Sequence, residues 1–484
     1  MSARSLTASH RPDTRASRGL GWHVALGLLA LSWAAGAQAY ITVGPDGTFP
    51  TIQEGVDQAI ANGGDEVRVE NLGCIPPHCS YYNENVDFVT SVSVSLSGGW
   101  DSIFQSQTAG ATSEIRGVDG NDAPTISAIV QGDAIVSINR FALNGSGNSF
   151  GFYTRGLLVG ARDNASVVVA DNFIYGNVVY TSTTSLPQGG AGLAVQASGA
   201  SVIALTGNTI DTNQLLGTDS APSFGAGAFV QTTQSGHIDF VLNMIYDNIT
   251  SNPNGGACRG GGVFTDSEDT SSMELRGNNY TGNEQIFCTN GATGDAANVS
   301  ASTQGIVSLY EETWTNNNIP SDPGVYQVYF EAHDISQIFA ANGLITNGTW
   351  GGLFAGADAT AFIDVSNYTV TGNPAVGVTA YGAGTQIWNT LMWNNSGDED
   401  PHDGASFWYS LVGVDPLFID AANGNYRLST GSPAIDSGSN SPAGGLRPWD
   451  LDLSPRPYNG VSDIGAYEYQ GGANDRIFAD GFDG

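Results

Sequence analysis

Large apolar side chains recur along this chain at fixed distances before a repeating asparagine. The asparagines are Asn144, Asn177, Asn213, Asn248, Asn283, Asn317, Asn347, Asn373 and Asn395. Three residues before each stands Phe141, Ile174, Ile210, Ile245, Tyr280, Trp314, Leu344, Val370 or Met392, and eight before each stands a further apolar residue, from Val136 and Val169 to Phe339, Val365 and Ile387. Neighbouring asparagines are 33, 36, 35, 35, 34, 30, 26 and 22 residues apart, so one unit persists while its length shrinks toward the C-terminus. Self-similarity at such a period marks a solenoid. Alternating stretches such as 202–205 and 238–240 predict a strand in each unit, followed by a short apolar segment and a polar corner. Glycine and β-branched residues crowd every repeat and no 3.6-residue stripe runs through them, which argues against helical repeats. Asparagine suits the corner because it tolerates left-handed backbone angles and its amide bonds to main chain. The pattern therefore predicts an all-β, single-stranded, right-handed parallel β-helix. Its coils would lie about 4.8 Å apart, so that corner amides form a hydrogen-bonded ladder.

At the N-terminal side, Thr51 and Glu54 form a capping box, and Ile52, Val56, Ala59 and Ile60 share one helix face, which predicts a helical lid over the first coil. Residues 1–39 read as an export signal: Arg4, Arg11, Arg15 and Arg18 precede an apolar run, and Ala37-Gln38-Ala39 fits a cleavage site. No later segment could span a membrane. The expected organisation is 1–39 signal peptide, 40–130 N-terminal cap and irregular first coils, 131–410 regular repeats, 411–470 a C-terminal closing domain, and 471–484 an acidic tail.

Charge narrows the partners. The formal net charge is -32, and removing four arginines and one aspartate with residues 1–39 takes it to -35; lysine is absent from the chain. Such a surface repels nucleic acid and anionic lipid, and repels polyuronates unless a divalent cation bridges. Four cysteines remain after export, and the simplest pairing is Cys74 with Cys79 and Cys258 with Cys288, the second clipping adjacent coils.

Two stretches carry family resemblances. The opening Asp46-Gly47-Thr48-Phe49, followed by Thr51-Ile52-Gln53, resembles the start of pectin methylesterases and other pectin-lyase-like proteins, but the methylesterase catalytic phrases are missing. Val414-Asp415-Pro416-Leu417-Phe418, Gly424-Asn425-Tyr426-Arg427-Leu428, Ser432-Pro433-Ala434-Ile435-Asp436 and Asp463-Ile464-Gly465-Ala466-Tyr467-Glu468, in this order, resemble the choice-of-anchor Q domain that ends secreted right-handed β-helix repeat proteins. That resemblance implies export and surface attachment, not a reaction. The ending Ile477-Phe478-Ala479-Asp480-Gly481-Phe482 is similar to short endings of some exported bacterial proteins and suggests a sorting tag.

Candidate chemistry is thin. A lyase on this fold needs a basic residue, and without lysine the candidates are Arg140, Arg155, Arg162, Arg259 and Arg276. A hydrolase needs paired carboxylates, for which Asp266, Glu268 and Asp269, or Asp398, Glu399, Asp400 and Asp403 with His402, are available. Asp398, Asp400 and Asp403 could also converge on Ca²⁺. Trp350, Trp388, Trp393 and Trp408 fall outside the inward register and could stack on sugar rings. Arg456 is expected to pair with carboxylates and fix the last coil. These features favour an exported binding or scaffold module at the cell surface, directed to extracellular polysaccharide or another surface component. A polysaccharide lyase or hydrolase, and an adhesin, stand as alternatives.

Overall fold

The computed structural model describes residues 40–75, 78–118, 124–145, 155–181, 189–288, 291–317, 325–358 and 360–471, with 74, 75, 78 and 79 by backbone alone. The expected signal peptide and the tail from 472 onward lie outside the described residues. Three parallel sheets of 13, 12 and 11 strands wind around one apolar interior, as a right-handed β-helix requires. A typical coil passes through the 11-stranded sheet at Leu193–Ala197, the 13-stranded sheet at Val202–Thr206 and the 12-stranded sheet at Thr209–Asp211. The period-2 alternation explains the packing, since Ile203, Leu205 and Ile210 point inward at 0% exposure while their neighbours face out.

The shrinking spacing has a simple cause: side excursions after the corner are lost while the three main strands keep their places. In the longer coils the excursions are themselves strands, with Val178–Thr181, Gln214–Gly217, Ile249–Ser251 and Glu284–Ile286 forming a four-stranded parallel sheet, and Ser223–Phe224, Cys258–Arg259 and Ala292–Thr293 a three-stranded one. The disulfide Cys258–Cys288 joins two neighbouring excursions, with Cα atoms 5.7 Å apart. Cys74 and Cys79 face each other across a two-residue antiparallel ladder, but their side chains lie outside the described residues.

Amide ladders run along one corner. Asn213 offers its N–H and Nδ2 to Asn248 Oδ1 at 3.0 and 2.9 Å, and Asn248 does the same to Asn283 at 3.2 and 2.9 Å. The file continues from Asn177 to Asn317 and again through Asn373, Asn395 and Asp398. Glycines before the next strand make room for it: a Cβ on Gly192 or Gly227 would lie 2.7 or 2.9 Å from Asn213 or Asn248 Nδ2.

Two of the nine asparagines stand off this file. Leu143, not Phe141, pairs with Ile174, so Asn144 falls opposite Tyr175 and the backbone N–H of Gly145 meets the Asn177 amide instead. Likewise Trp314 pairs with Ile345 rather than Leu344, which puts Gly348 in the ladder position and Asn347 one step early. Asn347 donates to Tyr426 Oη at 3.2 Å, while the gap at Gly348 admits the Gln327 side chain, which accepts from Asn317 and donates to Asn373 Oδ1 at 2.8 Å. The left-handed backbone is also one residue earlier than expected, at Thr212, Asp247 and Asn316, whereas the ladder asparagines contribute their amides.

Helix α1 (Ile52–Ala61) starts at Thr51, whose side chain accepts from Glu54 N, and buries Ile52, Val56 and Ala59. Its Gly55 lies so close to Val43 that a Cβ would come within 2.5 Å of that side chain, which fixes the helix on the first coil. At the other end, Leu411–Val412 still pairs in the 12-stranded sheet, and the chain after it, through 470, lies along the flank of the solenoid. Asn342, Asn367 and Asn389, in one corner column of successive coils, bond to Trp449 O, Asp463 O and Ser439 O. Arg456 therefore fixes a flank rather than the last coil: it bonds Glu468 at 2.9 Å and Asn342 at 2.7 Å, with both charged side chains at 0% exposure.

Candidate functional site

The outward face of the 11-stranded sheet carries a cavity of about 640 Å³ over the coils that hold Leu158, Ala194 and Phe229. That volume suits a small-molecule or oligosaccharide segment. Strand pairing places these three residues in one row, and Ile129, Gly160, Gln196 and Gln231 in the next. Gly160 leaves the floor low, since a Cβ there would meet Ile129 Cδ1 at 2.8 Å.

One wall comes from an excursion. Phe224 leans over the sheet with its ring centroid 6.1 Å from Phe229 and 4.7 Å from Phe264, both tilted. In the preceding coil its counterpart is Gly189, so the wall drops away and the cavity opens above Ala194. Buried Arg155 braces that step, donating through Nε to Gly190 O at 2.6 Å and through Nη2 to Gly189 O at 2.9 Å. Burial lowers its pKa to about 10, still fully protonated at neutral pH.

The opposite edge is polar. Gln196 Nε2 donates to Gln231 Oε1 at 3.0 Å, and Gln231 Nε2 reaches Asp266 Oδ2 at 3.4 Å. These bonds orient the amides yet leave Gln196 Oε1 and further N–H groups for a hydroxylated ligand. Arg162 completes the rim. An aromatic wall facing paired amides is the arrangement that sugar rings use, apolar face against ring and hydroxyls against amides.

The tryptophans chosen from the sequence do not form one site. Trp388 and Trp408 stack at 5.7 Å on the 13-stranded sheet, Trp393 is part-buried on the 12-stranded sheet under the C-terminal segment, and Trp350 stands in a turn before the strand Gly351–Ala357. The acidic run does not converge either. Asp398 Oδ1 ends the amide ladder by accepting from Asn395, Asp400 pairs with His402 at 2.9 Å, and Asp403 occupies a left-handed corner. Among the described residues no three His, Cys, Asp or Glu side chains come together to hold a metal ion.

The other candidates are dispersed. Arg259 pairs with Glu331 at 3.6 Å and Arg276 with Glu311 at 3.0 Å, and Arg140 contacts Thr108 O at 3.5 Å. Asp266, Glu268 and Asp269 do cluster, and burial, helped by Asp266 and Asp269, raises Glu268 to about 7. Tyr329, Phe354, Tyr381 and His402 form a file further along the face, but they stack on one another, at 4.1 Å for the first pair and 4.4 Å for the last, so their ring faces are already used.

The residues missed in the sequence are Phe224, Phe229, Gln196 and Gln231. Their signal was present: the two glutamines are 35 residues apart, one repeat, and Phe229 ends a Gly225-Ala226-Gly227-Ala228 approach. No protein-family model matches the chain, and no curated protein matches it either.

Proposed function

We propose that this chain is an exported, surface-attached β-helix that binds carbohydrate in the cavity on its 11-stranded sheet. The observation that carries this is the pairing of the Phe224–Phe229 wall with the Gln196–Gln231 amide edge around a space of about 640 Å³. Export and attachment rest on the signal-like residues 1–39 and on the resemblance of 411–470 to a choice-of-anchor Q domain. The Cys258–Cys288 disulfide fits an oxidising compartment. No helix among the described residues is long and apolar enough to cross a membrane.

Retention on a panel of immobilised polysaccharides, with and without Ca²⁺, tests the proposal. Retention that Phe229→Ala with Gln231→Ala abolishes supports it, and retention of no glycan contradicts it. A hydrolase is the second reading, favoured by Glu268, held near neutral pKa beside Asp266. It predicts new reducing ends in the same panel, lost in Glu268→Gln.

A further inference from the structure

Every described arginine but one has its guanidinium engaged. Arg68, Arg116, Arg259, Arg276, Arg427, Arg447 and Arg456 pair with carboxylates, while Arg140 and Arg155 donate to backbone oxygens. Among the described residues the Arg162 side chain has no hydrogen bond, ion pair or ring contact, although the chain is strongly acidic and without lysine. This uncommitted cation stands at the rim of the cavity described above. A guanidinium that is planar, permanently charged and forked is suited to a carboxylate or a sulfate.

From this placement we infer that the carbohydrate bound in the cavity carries a single anionic group, a carboxylate or a sulfate, seated on Arg162, with an otherwise uncharged body. The inference rests on the carbohydrate reading of the cavity. A polyanion does not fit, because the same outward row continues from Gln231 into Asp266, so a second negative group along the sheet meets like charge. The apolar floor at Leu158 and Ala194 and the rings of Phe224 and Phe229 take the uncharged part. Arg162 thus sets specificity, and the glutamines and phenylalanines supply the contacts common to any sugar.

The test uses the full exported chain and four tetrasaccharides with one neutral backbone: unmodified, capped by one uronic acid, capped by one 6-sulfated sugar, and uronate at every position. Calorimetric titration is done on the parent, Arg162→Gln and Phe229→Ala at low and moderate salt. The expected result is that a singly charged probe binds tightest, that Arg162→Gln weakens that probe roughly ten-fold and the neutral one far less, and that added salt narrows the difference. Whether the uronate-capped or the sulfated arm binds better tells which anion is read. Equal affinities for neutral and singly charged probes, insensitive to Arg162→Gln but reduced by Phe229→Ala, overturn the inference and leave the carbohydrate reading standing. Tightest binding of the fully uronate probe also overturns it. No binding of any probe by the parent, or binding indifferent to Phe229→Ala, removes the carbohydrate reading itself and this inference with it.

Discussion

Glu312 takes the place of an amide in a buried ladder: its Oε1 accepts from Asn278 N at 3.0 Å and Asn278 Nδ2 at 2.9 Å, the same two donors that Asn278 Oδ1 receives from Asn243. This second file, Asn172, Asn208, Asn243 and Asn278, lies five residues before the first. The other oxygen of Glu312 is buried beside the hydroxyls of Tyr280 and Tyr368. Burial raises the carboxyl from 4.5 to about 8.

The pH dependence follows. The folded chain keeps the Glu312 proton up to about pH 8, whereas the unfolded chain releases it near 4.5, so this group lowers stability progressively as pH rises from about 4.5 to 8. The full effect is on the order of 4–5 kcal/mol. Asp364 and Asp463, each raised to about 7 by burial, act in the same direction and remain in any Glu312 variant. Glu312→Gln, which retains an acceptor oxygen, should match the parent within about 1 kcal/mol near pH 5 and melt several degrees higher at pH 9. Parallel melting curves across that range would sink the assignment.

The register at Asn347 predicts unequal losses at two asparagines that occupy the same place in the sequence repeat. Asn248→Ala removes the acceptor for Asn213 and the donor to Ile210 O and Asn283, leaving buried groups unpaired at a cost of about 3 kcal/mol. Asn347→Ala loses one bond to Tyr426 and sets alanine at a φ of 55°, together about 1–2 kcal/mol and less than the loss at Asn248. Gln327→Ala should behave like Asn248→Ala, because Gln327 bridges the file across Gly348. Urea denaturation of the three variants decides; equal losses for Asn248 and Asn347 would contradict the register.

Cys258→Ser with Cys288→Ser opens a loop of 30 residues, which chain entropy values at about 3.5 kcal/mol. The double variant should unfold at lower urea, and a reductant should shift the parent toward it. A parent midpoint insensitive to reductant would contradict this.

Arg456→Ala leaves the buried Glu468 carboxylate without its charge partner and removes one of the two bonds that hold Asn342 to the C-terminal segment, the other being to Trp449 O. Loss of one partner of a buried pair costs about 3–5 kcal/mol. Limited proteolysis should then cut within 411–470 before the coils; first cleavage elsewhere would argue against the flank attachment.

The solenoid was legible because one asparagine per coil stands beside inward strands of period 2, a pattern set by chain geometry alone. The exact register was not, since Asn144 and Asn347 mimic the ladder residue one or two positions away, and only strand pairing with Ile174 and Trp314 separates them. The second amide file stayed hidden because it ends in Glu312, which breaks the asparagine count. The cavity was least legible: its wall comes from the excursion Ser223–Phe224 folding back on the sheet, a long-range contact that composition does not encode. The tryptophans stood out in the sequence by falling outside the inward register, yet only Trp388 and Trp408 come together, while Trp350 and Trp393 lie elsewhere.

The most direct test of carbohydrate binding at this cavity is calorimetric titration of Phe229→Ala with the glycan the parent retains best. At least a ten-fold weaker Kd is expected, roughly the value of one aromatic contact with a sugar ring, in a protein that still unfolds cooperatively although loss of the contacts with Phe224 and Phe264 lowers its melting temperature. An unaltered Kd in a folded Phe229→Ala protein would place binding elsewhere and contradict it.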